Sequence, residues 1–197
     1  MKIRTGFVSN SSSSSFIVGF KRRPQTAEEV HQVLFGTEPA VITVYDFGLP
    51  TNVAAQKVFD DIQKQQPATR DQILEVVRDG YFDTRPSRDY NGEKPSDIML
   101  KEFRGKYPDI ESYWDGEKIA DPEAKALAVK IAAVRNAEWD EERRLDDIAA
   151  DEYLDTQMPK FEGCEVYLFS YADDGGECVM EHGDIFHNLV HIVISNH

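Results

Sequence analysis

The chain lacks most of the features that readily betray a function. It holds two cysteines in 197 residues, Cys164 and Cys178, too few for the disulfide framework that staples small secreted domains. Two reduced thiols are expected. No stretch approaches the ~18 consecutive apolar residues that a membrane helix needs. Cations are outnumbered: 22 Lys and Arg stand against 36 Asp and Glu, for a net charge of −14. Binding to DNA or RNA depends on a surplus of cations facing phosphates. Direct nucleic-acid binding is therefore not expected, and the nearest basic run, Lys21-Arg22-Arg23, is short. The first residues, Met1-Lys2-Ile3-Arg4, are basic like the start of a secretion signal, but serines follow instead of a hydrophobic stretch. A cytoplasmic location is the expectation.

Catalytic signatures are missing as well. There is no G-x-S-x-G elbow to expose a nucleophilic serine. No H-E-x-x-H places two histidines on one helical face with a base between them. No glycine-rich loop ends in Lys-Ser or Lys-Thr to cradle a phosphate. No period marks a repeat protein.

What is present is a globular composition, 41% hydrophobic and 11% aromatic, which excludes global disorder. The length suits one domain, 1–197, with a loop-rich stretch at 81–120 and a long helical segment at 121–158. Phe16-Ile17-Val18-Gly19-Phe20 has the residue types of a buried strand. Thr26 is placed to cap a helix ending near Gly36. Ala40 to Tyr45 reads as a second strand, and helices follow from Thr51 to about Gln66, Thr69 to Arg78 and Ser96 to Lys106. Asp121-Pro122 is a favourable helix start. Trp139 to Asp147 interrupts the apolar stripe of the long helix with charge and reads as a solvated face or the meeting of two helices.

Cys164 to Tyr171 returns to strand character. Asp173-Asp174-Gly175-Gly176 is a tight-turn signal, with Glu177 to Glu181 as the returning strand. Leu189 to Ser195 closes the chain as an apolar strand. The expected class is α+β: a mixed or antiparallel sheet of about five strands, two N-terminal and three C-terminal, with helices from the middle of the chain on one face.

Two segments carry candidate chemistry. His182, Asp184, His187 and His191 offer imidazole and carboxylate ligands for a transition metal, zinc or iron above all. If His187 curls back toward the strand that bears His191, a metal there lowers the pKa of bound water toward ~7 and makes a hydrolase. The alternative is polar histidines satisfied by backbone carbonyls. The second segment is Ser9-Asn10-Ser11-Ser12-Ser13-Ser14-Ser15-Phe16. By composition it reads as a disordered leader, a modification target or an anion-binding nest. The apolar runs Gly6-Phe7-Val8 and Phe16-Ile17-Val18 on either side would pin it between ordered pieces. If a site exists, the strand reading places it where the two ends meet.

Arg4-Thr5-Gly6-Phe7-Val8-Ser9-Asn10-Ser11-Ser12-Ser13-Ser14-Ser15-Phe16 resembles an N-terminal motif shared by many uncharacterised bacterial and phage-encoded proteins. The tail Met180-Glu181-His182-Gly183-Asp184-Ile185-Phe186, with His191 to His197, resembles the ending of one subset of them. The resemblance implies a phage or mobile-element context and carries no established activity. The function expected is that of a non-enzymatic accessory protein that binds a protein partner through its acidic surface. The alternative is the metal-dependent hydrolase built on the C-terminal histidines.

Overall fold

A computed structural model describes residues 13–80, 93–110, 119–172 and 177–195. It is α+β, as expected, with five strands and six helices among the described residues. Strand β1 spans Ser13–Phe20, β2 Val41–Val44, β3 Phe47–Pro50, β4 Glu165–Ala172 and β5 Val190–Ser195. The helices are α1 Ala27–Phe35, α2 Thr51–Gln63, α3 Arg70–Gly80, α4 Pro95–Lys106, α5 Pro122–Gln157 and α6 Cys178–His182.

The strands form two sheets rather than one. β4, β1 and β5 make a three-stranded sheet with β1 in the middle, and β2 and β3 pair as a separate hairpin. All pairings are antiparallel: Val18 faces Tyr167 on one side and His191 on the other. The expected strand at Glu177 to Glu181 is instead helix α6. Its residues Cys178, Val179, Met180 and Glu181 are all buried. Cys178 therefore sits on a helix and Cys164 before β4, both as free thiols. The strand balance also changes to three N-terminal and two C-terminal, because Phe47–Pro50 pairs with β2 as a further strand.

Helices were expected on one face of the sheet, but both faces are buried. Phe16, Val18, Phe20, Tyr167, Phe169 and Tyr171 point into a core shared with Val30 and Leu34 of α1, Ala54, Val58 and Ile62 of α2, and Met180 of α6. The alternate residues Ile17, Val166, Ile192 and Ile194 are buried too, and α3 contacts both β1 and β5. This double burial explains why β1 reads as an uninterrupted apolar run. Gly19 marks a close approach on this second face. A Cβ there would lie 2.7 Å from Val190 Cγ1 and 2.9 Å from Phe161 Cδ1.

The two outer edges of the sheet differ. Along β4, the side-chain amide of Gln65 donates to the Leu168 carbonyl (3.0 Å) and accepts from the Leu168 N–H (3.2 Å). The Ala68 N–H then donates to the Val166 carbonyl (2.7 Å). The α2–α3 connection thus pairs with β4 as a short mock strand. Among the described residues nothing pairs with the outer edge of β5.

The chain divides into two compact units, one of Met1–Arg85 with Ala150–His197 and one of Pro86–Ala149. The second has its own core of Leu100, Phe103, Ile119, Ala124, Ala128 and Ile131. Asp121 Oδ1 accepts from the Ala124 N–H (2.8 Å), the cap expected for α5. The segment does not break into two helices at its polar middle: α5 runs on unbroken, and the start of α4 meets it there. Glu138 accepts from the Ser96 N–H (3.0 Å) and hydroxyl (2.5 Å), capping the start of α4, and Lys94 pairs with Glu142 at 2.5 Å. No helix among the described residues is long and apolar enough to cross a membrane.

Candidate functional site

The two ends of the chain meet in the sheet. Ser13, Ser14 and Ser15 belong to β1; Ser14 and Ser15 lie between β4 and β5 and Ser13 pairs with β4, while Ser9, Asn10, Ser11 and Ser12 fall outside the described residues. Ser14 is 4% exposed and Glu181 5% exposed. The Ser14 hydroxyl donates to Glu181 Oε1 at 3.0 Å. Phe16 packs its ring against Tyr171 and Phe186, with centroids 5.9 and 5.3 Å away. On their C-terminal side Phe16 thus pins the serines; Gly6-Phe7-Val8, expected to pin them from the other side, lies outside the described residues.

A polar cluster surrounds this contact. Ser14 is the register partner of Tyr171 on β4. Tyr171 OH lies 3.5 Å from Asp61 Oδ2, and Lys57 Nζ sits 5.5 Å from the centre of the Tyr171 ring. Lys57 also pairs with Glu177 at 2.8 Å. Burial pushes the Tyr171 phenol far above its usual range, and the charges of Asp61 and Glu177 push it further the same way. Lys57, Asp61 and Tyr171 were not legible as a group, since α2 and β4 lie far apart in sequence and no spacing links them.

The four metal candidates do not converge. His182 ends α6, with Nε2 3.6 Å from Glu181 Oε2 and its ring edge-on to Tyr45 at 6.0 Å. Asp184 follows in the left-handed region, with φ 46°. His187 Nδ1–H donates to the Asp184 carbonyl at 2.8 Å, and His191 Nδ1–H donates to the Leu189 carbonyl at 3.0 Å. Two of the three imidazoles thus spend a ring nitrogen on the local backbone. Among the described residues no three His, Cys, Asp or Glu side chains are grouped to hold a metal ion. The curl of the His187 loop is stabilised by its own carbonyl and gathers no ligand set.

The chemistry of Ser14 is that of a clasp. A serine acts as a nucleophile when a base takes its proton and donors wait for an oxyanion. Here the hydroxyl is buried within the central strand and spends its proton on Glu181, so the contact joins β1 to α6. No known family model, curated protein or solved structure matches the chain.

Proposed function

We propose that the protein is a non-enzymatic accessory protein of phage or mobile-element type that works in the cytoplasm by binding a basic protein partner. A row of like charges on α3 carries this reading. Asp71, Glu75 and Asp79 follow one another at four-residue spacing and are all exposed, so they share one helix face and repel one another. Partial burial raises the Asp79 carboxyl above the usual carboxylate range, and the charge of Glu75 raises it further. Among the described residues no cation is ion-paired to any of the three. The net charge of −14 extends the same sign over the molecule. Such a surface steers a cationic partner inward and lowers its own repulsion when that partner docks.

The test compares capture from host lysate by the wild-type protein and by the triple variant Asp71→Ala/Glu75→Ala/Asp79→Ala, at low and moderate salt. A partner held by the wild type, weakened by salt and released by the triple variant is the expected result. Equal capture by both proteins, or none above background, overturns the reading.

A further inference from the structure

We infer that the outer edge of β5, with the cleft at its N-terminal end, is a docking groove in which an extended segment of the basic partner adds to the sheet as a fourth strand. The charge assigned to that partner rests on the acidic-surface reading above; its extended conformation rests on separate geometry.

The first observation is the contrast between the two edges of one sheet. β4 is closed by Gln65 and Ala68, which use its Leu168 and Val166 backbone groups. β5 has no such guard among the described residues. In an antiparallel strand every second residue turns its N–H and C=O away from its partner, so β5 offers a ladder of unused groups beyond β1. The usual protections of an exposed edge are lysine, proline or a bulge. The β5 sequence VHIVIS contains neither lysine nor proline, and its pairing with β1 runs without a bulge from Val190 to Ser195. Val193 is 44% exposed. Helix α3 does not close the edge: it contacts central β1 as well as β5, which lays it across the face.

The second observation is a cleft of about 410 Å³ beside the start of β5, lined by Phe20, Pro24, Val33 and Leu189 with Lys21 and Arg22 among its polar residues. Its walls are mainly apolar and fixed. The Asn188 amide donates to the Leu34 carbonyl at 2.8 Å, and Arg22 holds Glu29 at 3.2 Å near the rim. Recognition by strand addition takes its affinity from main-chain hydrogen bonds and its selectivity from pockets for individual side chains. Leu189 immediately precedes β5, so the cleft sits where an apolar side chain of the added strand would fall. A second copy of this chain is the poorer occupant, because it would bring another −14 of charge to the same edge. A cationic segment is attracted by the net charge of the whole molecule instead, with an apolar residue rather than a cation entering the cleft beside Lys21 and Arg22.

The test uses the full-length protein against a phage-displayed library of random peptides of about ten residues, long enough to cover one strand. Selected peptides are expected to alternate apolar residues with Lys or Arg. Val193→Lys, which places a guarding charge on the edge, and Val33→Trp, which fills the cleft, are each expected to weaken the best peptide by at least about tenfold. Both positions are exposed, and circular dichroism melting checks the fold; should Val193→Lys fail to fold, Val33→Trp decides. The inference is overturned if no peptide is enriched, if both edge variants bind like the wild type, or if sedimentation shows a wild-type dimer that Val193→Lys dissolves. Loss of peptide in the α3 triple variant alone leaves the acidic surface standing and removes the groove. Loss in the edge variants alone does the reverse.

Discussion

Ser14 and Glu181 lie 167 positions apart and share a buried hydrogen bond of 3.0 Å. The contact ties the serine-rich end of the chain to the helix that ends at His182. Ser14→Ala removes the donor and leaves a buried carboxyl oxygen without it, at an expected cost of about 1–3 kcal/mol. Denaturant unfolding of the variant measures this. A midpoint equal to that of the wild type would show that the contact contributes nothing.

Gly19 is expected to resist even the smallest side chain. The added methyl of Gly19→Ala meets Val190 Cγ1 and Phe161 Cδ1 inside 3 Å, and overpacking of this kind costs about 1–3 kcal/mol. Val190→Ala on the same background removes the nearer atom. Part of the loss is then recovered, and a double-mutant cycle reads the coupling.

The sheet is expected to weaken in alkali. Burial raises the Tyr167 phenol from 10.0 to about 12, helped by the hydrogen bond it donates to Glu165 (2.6 Å) and by the charge of that residue. Between these values the unfolded chain has lost its proton and the folded chain has kept it, so stability falls as pH rises. The contribution is whole below about pH 10 and gone above about pH 12. Unfolding midpoints measured across that window should decline more gently for Tyr167→Phe. Identical slopes would remove Tyr167 as a cause.

Protein purified without a histidine tag is expected to carry less than about a tenth of an equivalent of zinc or iron by elemental analysis, well short of a tetrahedral site. Dialysis against chelator should leave its melting temperature where it was. A stoichiometric ion, or a clear fall in melting temperature, would reinstate the histidine cluster.

Much of this fold was legible because local signals and tertiary demands agreed. Phe16 to Phe20 is a β-rich run that the sheet buries on both faces, Leu189 to Ser195 buries Ile192 and Ile194 on one, and Thr26 caps α1 through the Glu29 N–H at 3.2 Å. Two elements were hidden by the opposite circumstance. Glu177 to Glu181 follows a strong turn signal, yet its buried cluster of Cys178, Val179 and Met180 fits one turn of helix, and periodicity over five residues does not distinguish the two. Phe47–Pro50 contains Gly48 and Pro50, poor strand formers, and becomes a strand through its pairing with β2. The site was legible only as a place. The meeting of the ends follows from two apolar strands, but the Ser14–Glu181 contact depends on α6, and the expected histidine ligands are not grouped to hold a metal ion among the described residues.

The central position of β1 also sets a timetable. A growing chain makes this strand well before either of its neighbours, and at roughly 5–20 residues per second the interval to the start of β4 at Glu165 is on the order of seven to thirty seconds. During that time the most apolar ladder of the protein has no partner, and pairings so distant in sequence form slowly even once the chain is whole. The serines at the head of β1 are therefore the part of the sheet best suited to keep a waiting strand in water.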